Sequence, residues 1–249
     1  MFLPDKENAV HKAWIYRILS EIADDSFLVS VMYFKGGTCA AMRNLLDRFS
    51  IDLDFDFVGK GSQMIQAKKH LENIFGRLGL KIKDASQKIP QYFLKYPIKN
   101  QNQRNTLKID TFFPPLEGNK YEPVRLIEIN RIMYCQTIET MFANKMIVLI
   151  DRFKRRGSIA GRDLYDIHHF FLQGYSYDAQ IIESYSRQKL TNFLQGLIKF
   201  IENNINQKII DQDINLLLAP QKFRLIRKNL KNETLIFLKD ELKRIKENE

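Results

Sequence analysis

With 249 residues, 45% of them hydrophobic, the chain has material for one large domain or two small ones, each with an ample core. It contains no run of 18 apolar residues, which excludes a helical membrane span and predicts a soluble globular protein. The 39 Lys and Arg against 29 Asp and Glu give a net charge of +10, which favours an anionic partner, nucleotide or nucleic acid alike.

Met1 to Glu7 lack the apolar centre of a signal peptide. Cys39 and Cys135 are too few and too far apart in sequence for a disulfide scaffold or a zinc site, so a reducing cytoplasm is expected. Residues 8–23 then read as a helix, with Trp14, Ile15, Ile18, Leu19 and Ile22 at helical spacing. Phe27 to Phe34 is a continuous apolar run, read as a buried strand. Gly36 and Gly37 break it, and residues 38–47 are predicted as a helix. Ile51 to Val58 alternates apolar and acidic residues, the period of a strand with one wet face. Residues 63–78 read as a helix that buries Ile65, Leu71, Ile74, Phe75 and Leu78. Strands follow over 80–84, 91–98 and 106–113, with Lys99 to Asn105 as a turn, and Val124 to Ile129 adds an edge strand. Beyond about residue 136 the segments 138–156, 163–173, 178–205 and 221–247 all read helical. Strands first and helices after predict an α+β domain over 1–135 and a helical bundle over 136–249.

The chemistry concentrates in two stretches. Asp52 and Asp54, at i and i+2 of a strand, point to the same face with Cα atoms about 7 Å apart. On alternation alone they read equally well as solvated side chains or as hard oxygen ligands for Mg²⁺. Asp is depleted in strands, and a third aspartate, Asp56, would share the face, so a counter-cation is the economical explanation. Gly36 and Gly37 just upstream let a backbone approach phosphate without Cβ interference, although a plain strand-to-helix turn with Thr38 as cap accounts for them as well. Together these are the skeleton of a nucleotidyltransferase site. In the helix over 138–156, Lys145, Arg152 and Arg156 fall within roughly 40° of one another, a basic stripe beside the apolar face of Phe142, Met146, Leu149, Ile150 and Phe153. His168 and His169, adjacent in a helix, point apart and cannot share a metal. Lys222, Arg224, Arg227, Lys228 and Lys231 read first as a solvated helix face, and second as a grip on the phosphates of a nucleic-acid partner.

The order Gly36-Gly37-Thr38, then Arg48-Phe49-Ser50-Ile51-Asp52-Leu53-Asp54-Phe55, resembles the signature of the AbiEii/AbiGii toxin family, within the DNA polymerase β-like nucleotidyltransferases. Leu107 to Thr111 resembles the strand of the third carboxylate, Asp110. Phe142 to Met146, with Arg152 and Arg162 to Ile167, resembles the family's lysine and arginine-aspartate motifs. The resemblance implies a polymerase β-like domain, a mixed sheet flanked by helices. It also implies Mg²⁺, as two ions held by Asp52, Asp54 and Asp110, and an NTP whose phosphates meet Gly36, Gly37, Thr38 and Ser50. Arg48 either steadies that loop or binds phosphate. Lys145 is implied to hold the triphosphate with Arg152 beside it, and Asp166 to be an active-site acid that orients Lys145 or the nucleotide. Asp110 is one candidate general base. The acceptor implied is RNA, a tRNA 3′ end, with a separately encoded antitoxin as partner in a type IV toxin–antitoxin or phage-defence system. A protein side chain as acceptor, or a non-catalytic RNA- or partner-binding protein on the same fold, are the alternatives.

Overall fold

A computed structural model describes residues 1, 8–98 and 104–248. The backbone divides into two units, Met1–Pro115 with Lys120–Thr137, and Leu116–Asn119 with Ile138–Glu249.

The first unit is organised by the alternation seen in sequence. Strand β2 (Asp52–Phe57) buries Leu53, Phe55 and Phe57 completely and turns its aspartates to the opposite face. It lies in a seven-stranded mixed sheet with β1 (Met32–Lys35), β3 (Lys81–Ala85), β4 (Tyr92–Lys95), β5 (Thr106–Phe112), β6 (Tyr121–Leu126) and β7 (Arg131–Gln136), in the order β3-β4-β5-β2-β1-β7-β6. Met32, Phe34, Leu94, Leu107, Ile109, Met133 and Cys135 extend the apolar face. Helices α1 (Asn8–Asp24) and α4 (Met64–Arg77) pack in the same unit, with Ile15, Ile18, Leu19, Ile22, Leu71 and Ile74 fully buried. Each such side chain contributes roughly 1.5–3 kcal/mol.

Several expectations are corrected. Ser26–Val31 is a helix, α2, and only Met32 onward is strand. The Asp25 carboxylate accepts from the backbone N–H groups of Phe27 and Leu28 at 3.1 and 3.0 Å, a cap that overrides the strand-like run. Helix α3 (Gly36–Met42) stops five residues early, where Arg43 ends it and Asn44 takes a left-handed φ of 58°. In α4, Met64 and Ala67 are buried, while Ile65 is 80% exposed. β7 was not foreseen; it pairs β6, which is an edge strand as expected. Of the predicted turn Lys99 to Asn105, residues 99–103 lie outside the described residues. Cys39 and Cys135, distant in sequence, are both buried and unoxidised, and burial together with the neighbouring Cys135 thiol pushes the Cys39 thiol up.

The second unit is helical: α5 (Ile138–Arg156), α6 (Gly161–Leu172), α7 (Ala179–Ser186), α8 (Leu190–Asn204), α9 (Gln207–Ile214), α10 (Pro220–Ile226) and α11 (Leu230–Asn248). The single helix predicted over 178–205 is two, broken at Arg187 with φ 56°. The helix predicted over 221–247 is also two, and α9 was not foreseen. The basic segment is therefore not one solvated face. Arg227 pairs with Asp211, and Lys231 Nζ donates to the Glu202 and Ile205 carbonyls at the end of α8 at 2.8 and 2.7 Å. No helix among the described residues is long and apolar enough to cross a membrane.

Candidate active site

The acidic face of the sheet is assembled by register. β2 runs parallel to β5 with Asp54 level with Asp110 and Asp52 level with Lys108, and antiparallel to β1 with Asp54 level with Lys35. Because alternate residues share a face, Asp52, Asp54 and Asp110 all stand on the wet side. All three are half-buried.

The backbone that carries them is held from both sides. Nε2 of His11, a fully buried residue of α1, donates to the Ile51 carbonyl at 2.8 Å. The Thr38 hydroxyl of α3 donates to the Asp52 carbonyl. Thr38 is thus the third residue of its helix, neither its cap nor an exposed phosphate donor, and it is fully buried. Burial drives the His11 imidazole down to about 4, so the ring is neutral at pH 7.

The glycines have a packing duty of their own. Gly36 has φ +77°, and a Cβ there would stand 2.5 Å from Asp54 Oδ2. A Cβ on Gly37 would stand 2.6 Å from Arg48 Nη2 and 3.0 Å from Ser50 Oγ. Arg48 is 2% exposed and donates to the Phe49 carbonyl at 2.9 Å. Of the two roles left open for it, steadying the loop is the one with visible partners. Ser50 is buried beside Gly37.

Asp56 differs from its neighbours on the strand. It is fully buried and accepts from Lys35 Nζ at 2.6 Å, Tyr121 Oη at 2.8 Å and Gln136 Nε2 at 2.6 Å. Lys35 supplies a counter-charge to this buried carboxylate. Asp110 accepts from Lys108 Nζ and from Gln91 Nε2, the latter at 2.6 Å. Among the described residues no three Asp, Glu, His or Cys side chains converge closely enough to hold a metal ion. The donor chemistry still fits a hard divalent cation: three carboxylates on adjacent strands, with one oxygen of Asp54 packed against the Gly36 backbone, 2.5 Å from where a Cβ would stand.

In the second unit, Lys145 of α5 places Nζ 2.7 Å from Asp163 Oδ1 and 2.8 Å from Asp166 Oδ2 of α6. Arg152 reaches Asp163 Oδ2 at 3.1 Å. Both carboxylates are buried, at 1% and 0% exposure. Burial pushes Asp163 up, but Lys145 and then Arg152 outweigh it and hold the carboxyl at about 2. Asp163, not among the site residues expected from the sequence, is therefore a full member of the cluster. Its signal was the i, i+3 spacing to Asp166, which puts both on one face. His168 faces Glu233 at 2.7 Å and His169 stacks on Tyr165, so the two histidines do point apart.

The model of the family described as nucleotidyl transferase AbiEii toxin, type IV TA system, matches residues 17–229. Among solved structures, JHP933 from Helicobacter pylori superposes with a TM-score of 0.62 at 19% identity, covering 99% of this chain and 96% of that one. A proposed nucleotidyltransferase from H. pylori gives 0.63 at 20% identity, over 98% and 99%. An antigenic nucleotidyltransferase-like protein from Paracoccidioides brasiliensis gives 0.50 at 14% identity, over 82% and 94%. These likenesses show the nucleotidyltransferase fold. Among curated protein sequences none matches.

Proposed function

We propose, from the premise that this chain belongs to the AbiEii nucleotidyltransferase toxin family of type IV toxin–antitoxin systems, that it transfers a nucleotide from an NTP to an RNA acceptor, a tRNA 3′ end. The observation that carries the site assignment is the register of β2 and β5, which sets Asp54 level with Asp110 beside the Gly36 turn. Asp52, Asp54 and Asp110 are the residues to hold Mg²⁺, which when bound neutralises phosphate charge and activates the attacking oxygen. Asp110 is the proposed general base for the acceptor hydroxyl's proton, with Lys108 Nζ hydrogen-bonded to its carboxylate. Gly36 and Gly37 leave the backbone open to the triphosphate. Lys145, its ammonium fixed by Asp163 and Asp166, is the proposed cationic partner of the triphosphate, with Arg152 bracing Asp163. The charge of +10 suits a polyanionic acceptor, and a reaction on tRNA belongs in the cytoplasm under the control of a separate antitoxin.

The test is incubation with Mg²⁺, total tRNA and each labelled NTP in turn, with Asp54→Ala as control. Label on tRNA from the wild type alone supports the reading and names the nucleotide. Label on protein alone would overturn the RNA acceptor and keep the chemistry. Label from the Asp54→Ala protein at the wild-type rate would sink the site.

A further inference from the structure

The wet face of the sheet is not uniformly polar. One register step along from the Asp110–Asp54–Lys35 row lies a second row: Phe112 level with Asp56, Asp56 level with Tyr33, and Tyr134 beside Tyr33. The steps are two residues, so the rows stand roughly 7 Å apart. Tyr33 and Tyr134 stack with ring centroids 4.8 Å apart and planes 22° from parallel. Tyr121 meets Tyr33 edge-on at 4.9 Å, and its hydroxyl is anchored on buried Asp56. The same carboxylate holds Lys35, whose ammonium lies 4.7 Å from the Phe112 ring centroid. Despite this order the row remains open, with Tyr134 42% and Phe112 38% exposed. Aromatic rings kept in solvent and fixed by a buried carboxylate are not explained by the core.

We infer that the Tyr33–Tyr134 stack, braced by Tyr121 and Asp56, is a platform on which unpaired bases of the acceptor strand stack next to the catalytic carboxylates. The choice of occupant follows from direction. β1 runs from Tyr33 past Lys35, level with Asp54, into Gly36 and Gly37. If the triphosphate lies at the glycine turn, an in-line displacement brings the attacking hydroxyl from the other side of the carboxylates. That side is the aromatic row. Bases of any sequence present a π-face, and aromatic platforms are the usual sequence-tolerant grip on single strands.

The inference rests on the RNA-acceptor reading, and the experiment separates the two. Tyr134→Ala and Tyr134→Trp, both at an exposed position, are compared with wild type for binding of a fluorescent single-stranded oligoribonucleotide ending in CCA. KM for tRNA and for the NTP are measured in the labelling assay. Stacking of one base predicts that Tyr134→Ala weakens oligonucleotide binding and raises KM for tRNA roughly tenfold or more. KM for the NTP stays within twofold, and Tyr134→Trp restores or tightens binding. Wild-type labelling of tRNA with both constants unmoved by Tyr134→Ala would overturn the platform alone. A rise in KM for the NTP instead would make it a nucleotide-base site and overturn the acceptor assignment. A wild type that neither binds the oligonucleotide nor labels tRNA would overturn the RNA reading and the platform with it.

Discussion

Replacing Lys145 by methionine keeps the aliphatic stem and removes the ammonium that Asp163 and Asp166 share. For Asp163 alone the structure sets a scale. The carboxyl is held at about 2 instead of 3.8. At about 1.4 kcal/mol for each tenfold in proton affinity, that is roughly 2 kcal/mol of native stability. Burial is the largest influence on this group and acts against ionisation, and Lys145 is the foremost of the charges that overcome it. Asp166 is as deeply buried and lies 2.8 Å from the same nitrogen. Leaving buried carboxylates without their cation costs about 3–5 kcal/mol, so we expect Lys145→Met to lose about 4 kcal/mol at pH 7.

The pH dependence distinguishes this from lost packing. In the wild type the folded carboxyl is more acidic than the unfolded one, so its contribution is complete above about 3.8 and fades as pH falls towards 2. In the variant the burial that opposes ionisation of Asp163 is answered only by Arg152 and Arg162, so the folded carboxyl binds its proton more readily than in the wild type and the deficit shrinks as pH falls. Adding Asp166→Asn should recover about 2 kcal/mol as a coupling energy. Urea unfolding followed by circular dichroism at several pH values is the assay. The single tryptophan, Trp14, sits in the first unit, so circular dichroism is used to follow the helices concerned. A cost below about 1 kcal/mol, or one equal at every pH, would refute the claim that charge compensation holds α5 to α6.

Gly36→Ala should cost about 1–2 kcal/mol for the left-handed backbone alone. It should also lower tRNA labelling at least tenfold, because the new Cβ displaces Asp54 Oδ2. The matched Gly76→Ala, in α4 with nothing within 4 Å of its Cβ, should gain roughly 0.5–1 kcal/mol and leave activity intact; equal behaviour of the two in thermal melts would remove the close-approach explanation. His11, neutral when folded and held to about 4 by burial against 6.5 when free, makes the unfolded state the better proton acceptor. Stability should therefore be complete above about 6.5 and decline by about 3 kcal/mol as pH falls to 4. His11→Gln should flatten that decline, and an unchanged slope in urea titrations would place the acid sensitivity elsewhere.

Most of what organises the fold was readable because it follows a period. β2 announced itself by alternating acids with Leu53, Phe55 and Phe57, and α1 and α5 by helical spacing. The carboxylates and Lys145 were readable because the residue types are rare in those settings. What was missed depends on individual hydrogen bonds, some to near neighbours and some to residues far along the chain. Asp25 turned an apolar run into a helix by capping it, which no periodicity registers. Thr38 and Arg48 look like phosphate donors until the Asp52 and Phe49 carbonyls claim them. His11, one residue of a long amphipathic helix, reveals its duty only when Ile51 is brought beside it.

The failure to read β7 is the most informative. Arg131-Ile132-Met133-Tyr134-Cys135-Gln136 does not alternate by residue type, because Ile132 and Tyr134 are apolar or aromatic on the side that faces water. Burial does alternate: Met133 and Cys135 are inside, while Ile132 is 63% and Tyr134 42% exposed. A strand escapes pattern reading when its wet face carries hydrophobic surface, and that is also the condition under which a surface serves binding rather than solubility. On β2 the same face carries carboxylates, on β7 it carries Tyr134, and β1 joins them through Lys35 and Tyr33. On the proposed reading, the two halves of the face, one legible and one not, divide the chemistry from the grip on the acceptor.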